Sequence, residues 1–210
     1  MKKEITIVDY GLGNILSAEQ SFIKVIKENQ INANIKISNS PSDIASSTHV
    51  VLPGQGAFKS CIDGLTSITG MIEELKNFAL IHKKPFLGIC VGMQLLATDS
   101  EENGKHRGLN WISGHIKKLP NKNLKMPHMG WNEIEVQRRH PLLEGINDGD
   151  EFYFVHSFFP EPENPASVFA SAQYEREFCC AAGSDNFFGT QFHPEKSGRV
   201  GLGLLDRFRN

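Results

Sequence analysis

Over its first ninety-odd residues the chain alternates short, β-rich apolar runs with stretches of helical periodicity, and this alternation constrains the fold more than any other feature. The run 5–8 ends at Asp9-Tyr10-Gly11-Leu12-Gly13-Asn14, after which Ile15, Ala18, Phe22 and Ile26 recur at helical spacing. A second apolar segment, 33–37, leads to Ser40-Pro41-Ser42-Asp43, a cap with proline at the first helical position. Next come a buried strand over 49–52, a helix over 71–81, a strand over 85–89 and a helix over 92–98. Strand and helix in alternation predict a mostly parallel sheet covered on both faces. The second half differs. Strand-like runs at 111–119, 133–136, 151–159, 167–172, 178–182 and 187–192 follow one another with little helix between, and predict antiparallel additions to the same sheet. Residues 160–165 read as a turn-rich connection rather than a linker, and 200–208 as a short closing helix. The expectation is one α/β domain spanning residues 1–210, with a three-layer arrangement around a mixed, mostly parallel sheet.

With 22 Lys+Arg against 24 Asp+Glu, the net charge of -2 offers no general attraction for nucleic acid or an anionic bilayer. No stretch approaches eighteen apolar residues and no leader is evident, so a soluble, cytoplasmic protein is expected. The four cysteines show no C-x-x-C spacing and predict no metal site. Cys61, Cys179 and Cys180 read as small core hydrophobes.

Cys90 is different. Gly88-Ile89-Cys90-Val91-Gly92 places a thiol between an apolar strand and a helix, flanked two residues away on each side by glycine. This is the form of a nucleophile elbow, whose tight turn lifts the reactive group above the sheet edge. Unpaired N–H groups at the start of the helix favour thiolate over thiol. Phe192-His193-Pro194-Glu195 then supplies an imidazole and a carboxylate two residues apart, a proton carrier and the group that orients it. The loop Leu52-Pro53-Gly54-Gln55-Gly56 also ends a strand, and its N–H groups, with that of Val91, suit an oxyanion hole. Glycines on both sides of Gln55 would let the Gly54-Gln55 peptide flip and so switch the donor. The other seven histidines, His128 and His156 among them, read as structural or interface residues.

These motifs, together with Pro127-His128-Met129-Gly130-Trp131-Asn132, Tyr153-Phe154-Val155-His156-Ser157 and Lys196-Ser197-Gly198, resemble the class I, triad-type glutamine amidotransferase family from end to end. Within it, the chain is similar to the glutaminase subunits of imidazole glycerol phosphate synthase. The resemblance implies hydrolysis of L-glutamine to L-glutamate and ammonia through a thioester, with Cys90, His193 and Glu195 catalytic and without a cofactor. It also implies a heterodimer with a cyclase subunit, which uses the ammonia to form imidazole glycerol phosphate and aminoimidazole carboxamide ribotide in histidine biosynthesis. Gly54, Gly56, Gln94 and Glu102 match positions that hold glutamine, with Glu101 the alternative to Glu102. Asn14, Trp131, Tyr153 and Lys196 match the partner face or gate. Val91 stands where leucine is common and Gln55 where valine is; both act through backbone N–H groups.

Three other readings compete. Gly11-Leu12-Gly13 has the start of a dinucleotide fingerprint, but Leu16 occupies the place of its third glycine. A non-catalytic subunit would be expected to lack one of Cys90, His193 and Glu195, and all three are present. A paralogous glutaminase feeding another synthase, such as one aminating a surface sugar, stays open.

Overall fold

The computed structural model describes residues 2–209; residues 1 and 210, the two ends of the expected domain, lie outside it. The first half builds β1 (Lys3–Val8), α1 (Ile15–Glu28), β2 (Ala33–Ser38), α2 (Pro41–Ser46), β3 (His49–Gly54), α3 (Phe58–Ser67), α4 (Met71–Lys76), β4 (Phe86–Cys90) and α5 (Val91–Gln94). Helix α4 runs on into a π-helical turn, Asn77–Ile81. There follow β5 (Ala97–Ser100), β6 (His106–Arg107), β7 (Ile112–Lys118), β8 (His128–Glu133), β9 (Glu135–Val136), β10 (Glu151–His156), β11 (Phe158–Pro162), β12 (Val168–Tyr174), β13 (Arg176–Gly183), β14 (Phe187–Thr190) and α6 (Gly198–Phe208).

An eight-stranded sheet in the order β2-β1-β3-β4-β14-β13-β12-β9 organises the molecule. The five strands from β2 to β14 run parallel, and β13, β12 and β9 extend the sheet antiparallel. Strands β3 and β4 are buried along their whole length, as the continuous runs His49-Val50-Val51-Leu52 and Phe86-Leu87-Gly88-Ile89 require of central parallel strands. The helices fall into two packed groups, α1 with α6, and α2, α3, α4 and α5 with one another. Helix α1 buries Ala18 and Phe22 of the positions its helical spacing selects, together with Val25, while Ile15 and Ile26 at the edges of the stripe are half-buried.

The second half departs from the sequence reading in several places. The expected helix over 92–98 stops after one turn at Gln94, and Ala97–Ser100 pairs with β7 and β6 instead. The run 151–159 is two strands broken at Ser157: β10 pairs with β8, and β11 with β7. The run 133–136 is likewise divided between the end of β8 and β9. Not all additions join the main sheet, since β10-β8 and β11-β7-β5-β6 form two further sheets. Pro160 and Pro162 lie within β11 rather than in a connecting turn; this is an edge strand, where a missing N–H is tolerated.

The parallel order brings the carboxyl ends of β3, β4 and β14 side by side. Open α/β sheets bind ligands at that edge.

Candidate active site

Three neighbouring strand ends each deliver one part of the site. Strand β4 ends at Cys90, whose backbone is forced to φ 55° and ψ -112°. Such a conformation in a non-glycine residue costs about 1–3 kcal/mol and persists only where its surroundings impose it. Here they do. A Cβ on Gly92 would overlap the Leu52 carbonyl, and one on Gly54 would overlap the Gly92 backbone nitrogen. Strand β3 therefore packs backbone against backbone on the first turn of α5, which explains glycine on the helix side of the elbow and at the end of β3.

Strand β14 ends at Thr190, three residues before His193. His193 Nδ1 lies 2.8 Å from Glu195 Oε1, with both side chains almost fully buried. Asn14 Nδ2 approaches the same carboxylate oxygen at 3.5 Å, and the Ser21 hydroxyl donates to the Glu195 carbonyl. The other ring nitrogen, His193 Nε2, is buried without a hydrogen bond. Burial on its own would lower the pKa of the imidazole, but the neighbouring Cys90 sulfur and then the Glu195 carboxylate outweigh it and raise the pKa to about 10. Near neutral pH the charged form of the ring is therefore favoured, with Cys90 on one side of it and Glu195 holding the other.

Strand β3 supplies the loop. The Tyr10 hydroxyl donates to the Pro53 carbonyl at 2.6 Å, and the Cys61 thiol to the Gln55 carbonyl at 3.4 Å. The Gly54-Gln55 peptide lies between these two tied carbonyls. Gly56 sits at φ +98° with open space around its Cα, whereas the Cα of Gly54 faces the elbow.

Together these elements enclose a cleft of about 250 Å³, lined by Gln55, Gly56, Cys90, Val91, Gln94, Glu102, His193 and Lys196 among others. Ligand pockets for drug-sized molecules begin near ~300 Å³, so this one suits a small ligand. Gly54 is not on its wall; it supports the elbow from below. Glu102 and Glu101 are separated clearly. Glu102 Oε2 accepts from the Phe58 N–H at 2.7 Å and faces the cleft, while Glu101 is occupied with Lys117 and the Lys118 N–H. Gln94 has a fixed orientation, because its Nε2 donates to the Phe158 carbonyl, which can only accept, and to Gln191 Oε1, both at 3.0 Å. What Gln94 can offer a ligand is its carbonyl oxygen.

Trp131, Tyr153 and Lys196 cluster at the rim. Trp131 stands opposite Tyr153 across the β8–β10 pair, the Lys196 ammonium lies 6.0 Å from the Tyr153 ring centroid, and Trp131 is 53% exposed, with Met129 of the same strand also exposed.

The sequence reading did not place the opposite wall, where Pro127, His156 and Phe158 line the cleft. His156 Nδ1 is 2.9 Å from the Phe158 carbonyl and must donate to it, so its Nε2 accepts from His128 Nδ1 at 2.9 Å. His128 is in turn stacked between Phe154 and Tyr174. Both rings are thus held neutral, and burial lowers His128 to about 4 and His156 to about 3; buried His49 is lowered to about 4 by the same cause. In the unfolded chain a histidine titrates near ~6.5. These three therefore contribute stability that is fully present above pH ~6.5 and is lost as pH falls toward their folded values. His193 has the opposite sign, and its contribution is lost only as pH rises toward 10. The melting temperature is expected to drop steeply between about pH 6.5 and 4.5. A flat profile across that interval would show that the rings are not buried neutral.

The class I glutamine amidotransferase family model matches residues 7–208. The chain is also 44% identical over 208 residues to the imidazole glycerol phosphate synthase subunit HisH of Pelagibacter ubique, covering 98% of this chain and 99% of that one. The chain belongs to the class I glutamine amidotransferase family. The HisH subunit of Syntrophotalea carbinolica is 44% identical over 210 residues, covering 97% and 98% of the two chains. A solved glutamine amidotransferase structure superposes with a TM-score of 0.70 at 14% identity, over 97% of this chain and 98% of that one, and shows the same fold. As a family member, the chain is a glutamine-hydrolysing enzyme with the family's three-layer α/β architecture. No helix among the described residues is long and apolar enough to cross a membrane.

Proposed function

We propose that the chain is the glutaminase subunit of an imidazole glycerol phosphate synthase, a single cytoplasmic domain that hydrolyses glutamine and passes the ammonia to a cyclase partner. The observation that carries this reading is Cys90 on its elbow in one cleft with His193, whose Nδ1 is bound to Glu195, in a chain 44% identical to HisH subunits.

The Cys90 thiolate attacks the side-chain carbonyl carbon of glutamine, and the developing oxyanion is held by the Val91 N–H and, once its peptide is turned inward, the Gln55 N–H. His193 gives its Nε2 proton to the departing nitrogen, which leaves as ammonia, and a γ-glutamyl thioester remains on the sulfur. Now neutral, His193 takes a proton from water as the water attacks the thioester; the C–S bond then breaks, glutamate leaves, and the Cys90 thiolate is restored beside the reprotonated ring. Glu195 stays ionised throughout and stabilises the imidazolium. The Gln94 carbonyl oxygen and the Glu102 carboxylate face the ligand as acceptors, a match for the α-ammonium group of glutamine.

The rim around Trp131, Tyr153 and Lys196, with Asn14 behind it, meets the cyclase. Large aromatic residues anchor such interfaces. Trp131→Ala is expected to weaken the complex by about 2 kcal/mol, or ~30-fold, with little change in the melting temperature of the free chain. A large loss of stability with unchanged cyclase affinity would make Trp131 a packing residue instead.

Feeding the reconstituted pair with glutamine labelled at its amide nitrogen tests the pathway. The label is expected in the imidazole ring of the product. Glutamate formed without label in the imidazole, whichever cyclase is supplied, would assign the ammonia to another synthase such as one aminating a sugar.

A further inference from the structure

We propose that Gln191 is a positioning residue for the nucleophile, acting through the sulfur of Cys90 and oriented by the amide of Gln94. The inference rests on Cys90 being the nucleophile.

Gln191 is completely buried. It lies in the turn between β14 and His193, and its backbone N–H donates to the Cys180 carbonyl of β13 at 2.8 Å, so its place is fixed by the sheet. A fully buried amide is costly unless its polar atoms are satisfied. Its Oε1 accepts from Gln94 Nε2 at 3.0 Å, and its Nε2 lies 3.7 Å from Cys90 Sγ as a donor. The direction of this chain is not ambiguous. The Phe158 carbonyl can only accept, which fixes the Gln94 amide; Gln94 then presents an N–H to Gln191, which fixes the second amide and leaves its NH2 group toward sulfur.

An N–H directed at sulfur favours the anion over the neutral thiol, because charge-assisted hydrogen bonds are roughly twice as strong as neutral ones. His193 does the same from the cleft, but it gives up its proton when ammonia departs. Gln191 cannot give up its own. It therefore holds the sulfur in one direction on the elbow and favours the thiolate whatever the state of the imidazole. The same Gln94 that offers its carbonyl oxygen to the cleft sets the orientation of Gln191, so the ligand subsite and the nucleophile are joined by two side-chain amides.

Alkylation of Cys90 by iodoacetamide, followed by peptide mass mapping on the full chain, reads thiolate availability without substrate. Gln191→Met keeps the volume and removes the donor. The alkylation rate at pH 7 is expected to fall about ten-fold, with its rise displaced to higher pH, while kcat falls by a similar factor and KM changes little. A folded Gln191→Met protein that alkylates at the parent rate would overturn the proposal. Should that variant not fold, Gln94→Met decides: it keeps Gln191 but frees its amide, so a slower rate supports the proposal and an unchanged rate overturns it. Glutamine turnover surviving in Cys90→Ala would remove the nucleophile reading and this inference together, whereas an alkylation rate indifferent to Gln191 removes only the inference.

Discussion

Cys90→Ala lowers glutamine hydrolysis by roughly 10³-fold or more, yet the complex with the cyclase still makes product from added ammonium salts. On the proposed function the covalent chemistry is confined to this chain, and the cyclase partner needs only ammonia. Assaying both nitrogen sources on one preparation separates the two outcomes that matter. Loss with glutamine alone locates the nucleophile; loss with both indicates a damaged complex. Retention of more than about a tenth of the parent glutaminase rate would exclude Cys90, since removing the nucleophile of a triad leaves only what binding and the oxyanion hole supply. His193→Asn should come close to the same loss, because the ring has two proton transfers to perform. Glu195→Gln should be milder, as it keeps the shape of the group facing Nδ1 and removes mainly its charge.

The second large effect is activation by the partner. A glutaminase that ran alone would release ammonia to solvent, and the loop after β3 has the construction of a switch. The Pro53 and Gln55 carbonyls are tied to Tyr10 and Cys61, and on the proposed function the Gly54-Gln55 peptide between them turns either a carbonyl oxygen or an N–H toward the oxyanion. One backbone donor at an oxyanion is worth about 3–4 kcal/mol, or 10²- to 10³-fold in rate. Cyclase carrying its substrate should therefore raise kcat by roughly that factor and leave KM nearly unchanged, because glutamine can bind before the donor is in place. The structure also sorts the two glycines. A Cβ on Gly54 would collide with the Gly92 backbone and damage the elbow, so Gly54→Ala lowers basal turnover as well. Gly56 has space and only its positive φ to lose, so Gly56→Ala is the variant that reads the switch through a reduced activation ratio. Equal kcat for the chain alone, with cyclase, and with cyclase and its substrate would rule the switch out.

What the sequence revealed follows from what is local. The elbow could be seen in Gly88-Ile89-Cys90-Val91-Gly92 because its glycines answer to contacts within a few residues and one neighbouring strand. The His193–Glu195 pair was visible because two residues separate its members. Residues 92–98 were misread because Met93, Leu95, Leu96 and Ala97 suit a helix or a buried strand equally, and pairing with β7, more than ten residues away, decided between them. The break at Ser157 was hidden for a similar reason: alternation shows that a residue faces a sheet, not which sheet. Gln191 carried no signal of its own. Its side-chain partners are Cys90, Gln94 and, through Gln94, the Phe158 carbonyl, all brought to it by the fold.

Trapping the acyl-enzyme tests the central claim most directly. The parent protein is mixed with glutamine, quenched in acid within a single turnover and digested, and the peptide containing Cys90 is weighed. The account predicts a γ-glutamyl adduct on that peptide and none on those containing Cys61, Cys179 or Cys180. Glutamine turned over by the parent protein at full rate after Cys90 has been alkylated, with no adduct on any cysteine, would contradict it.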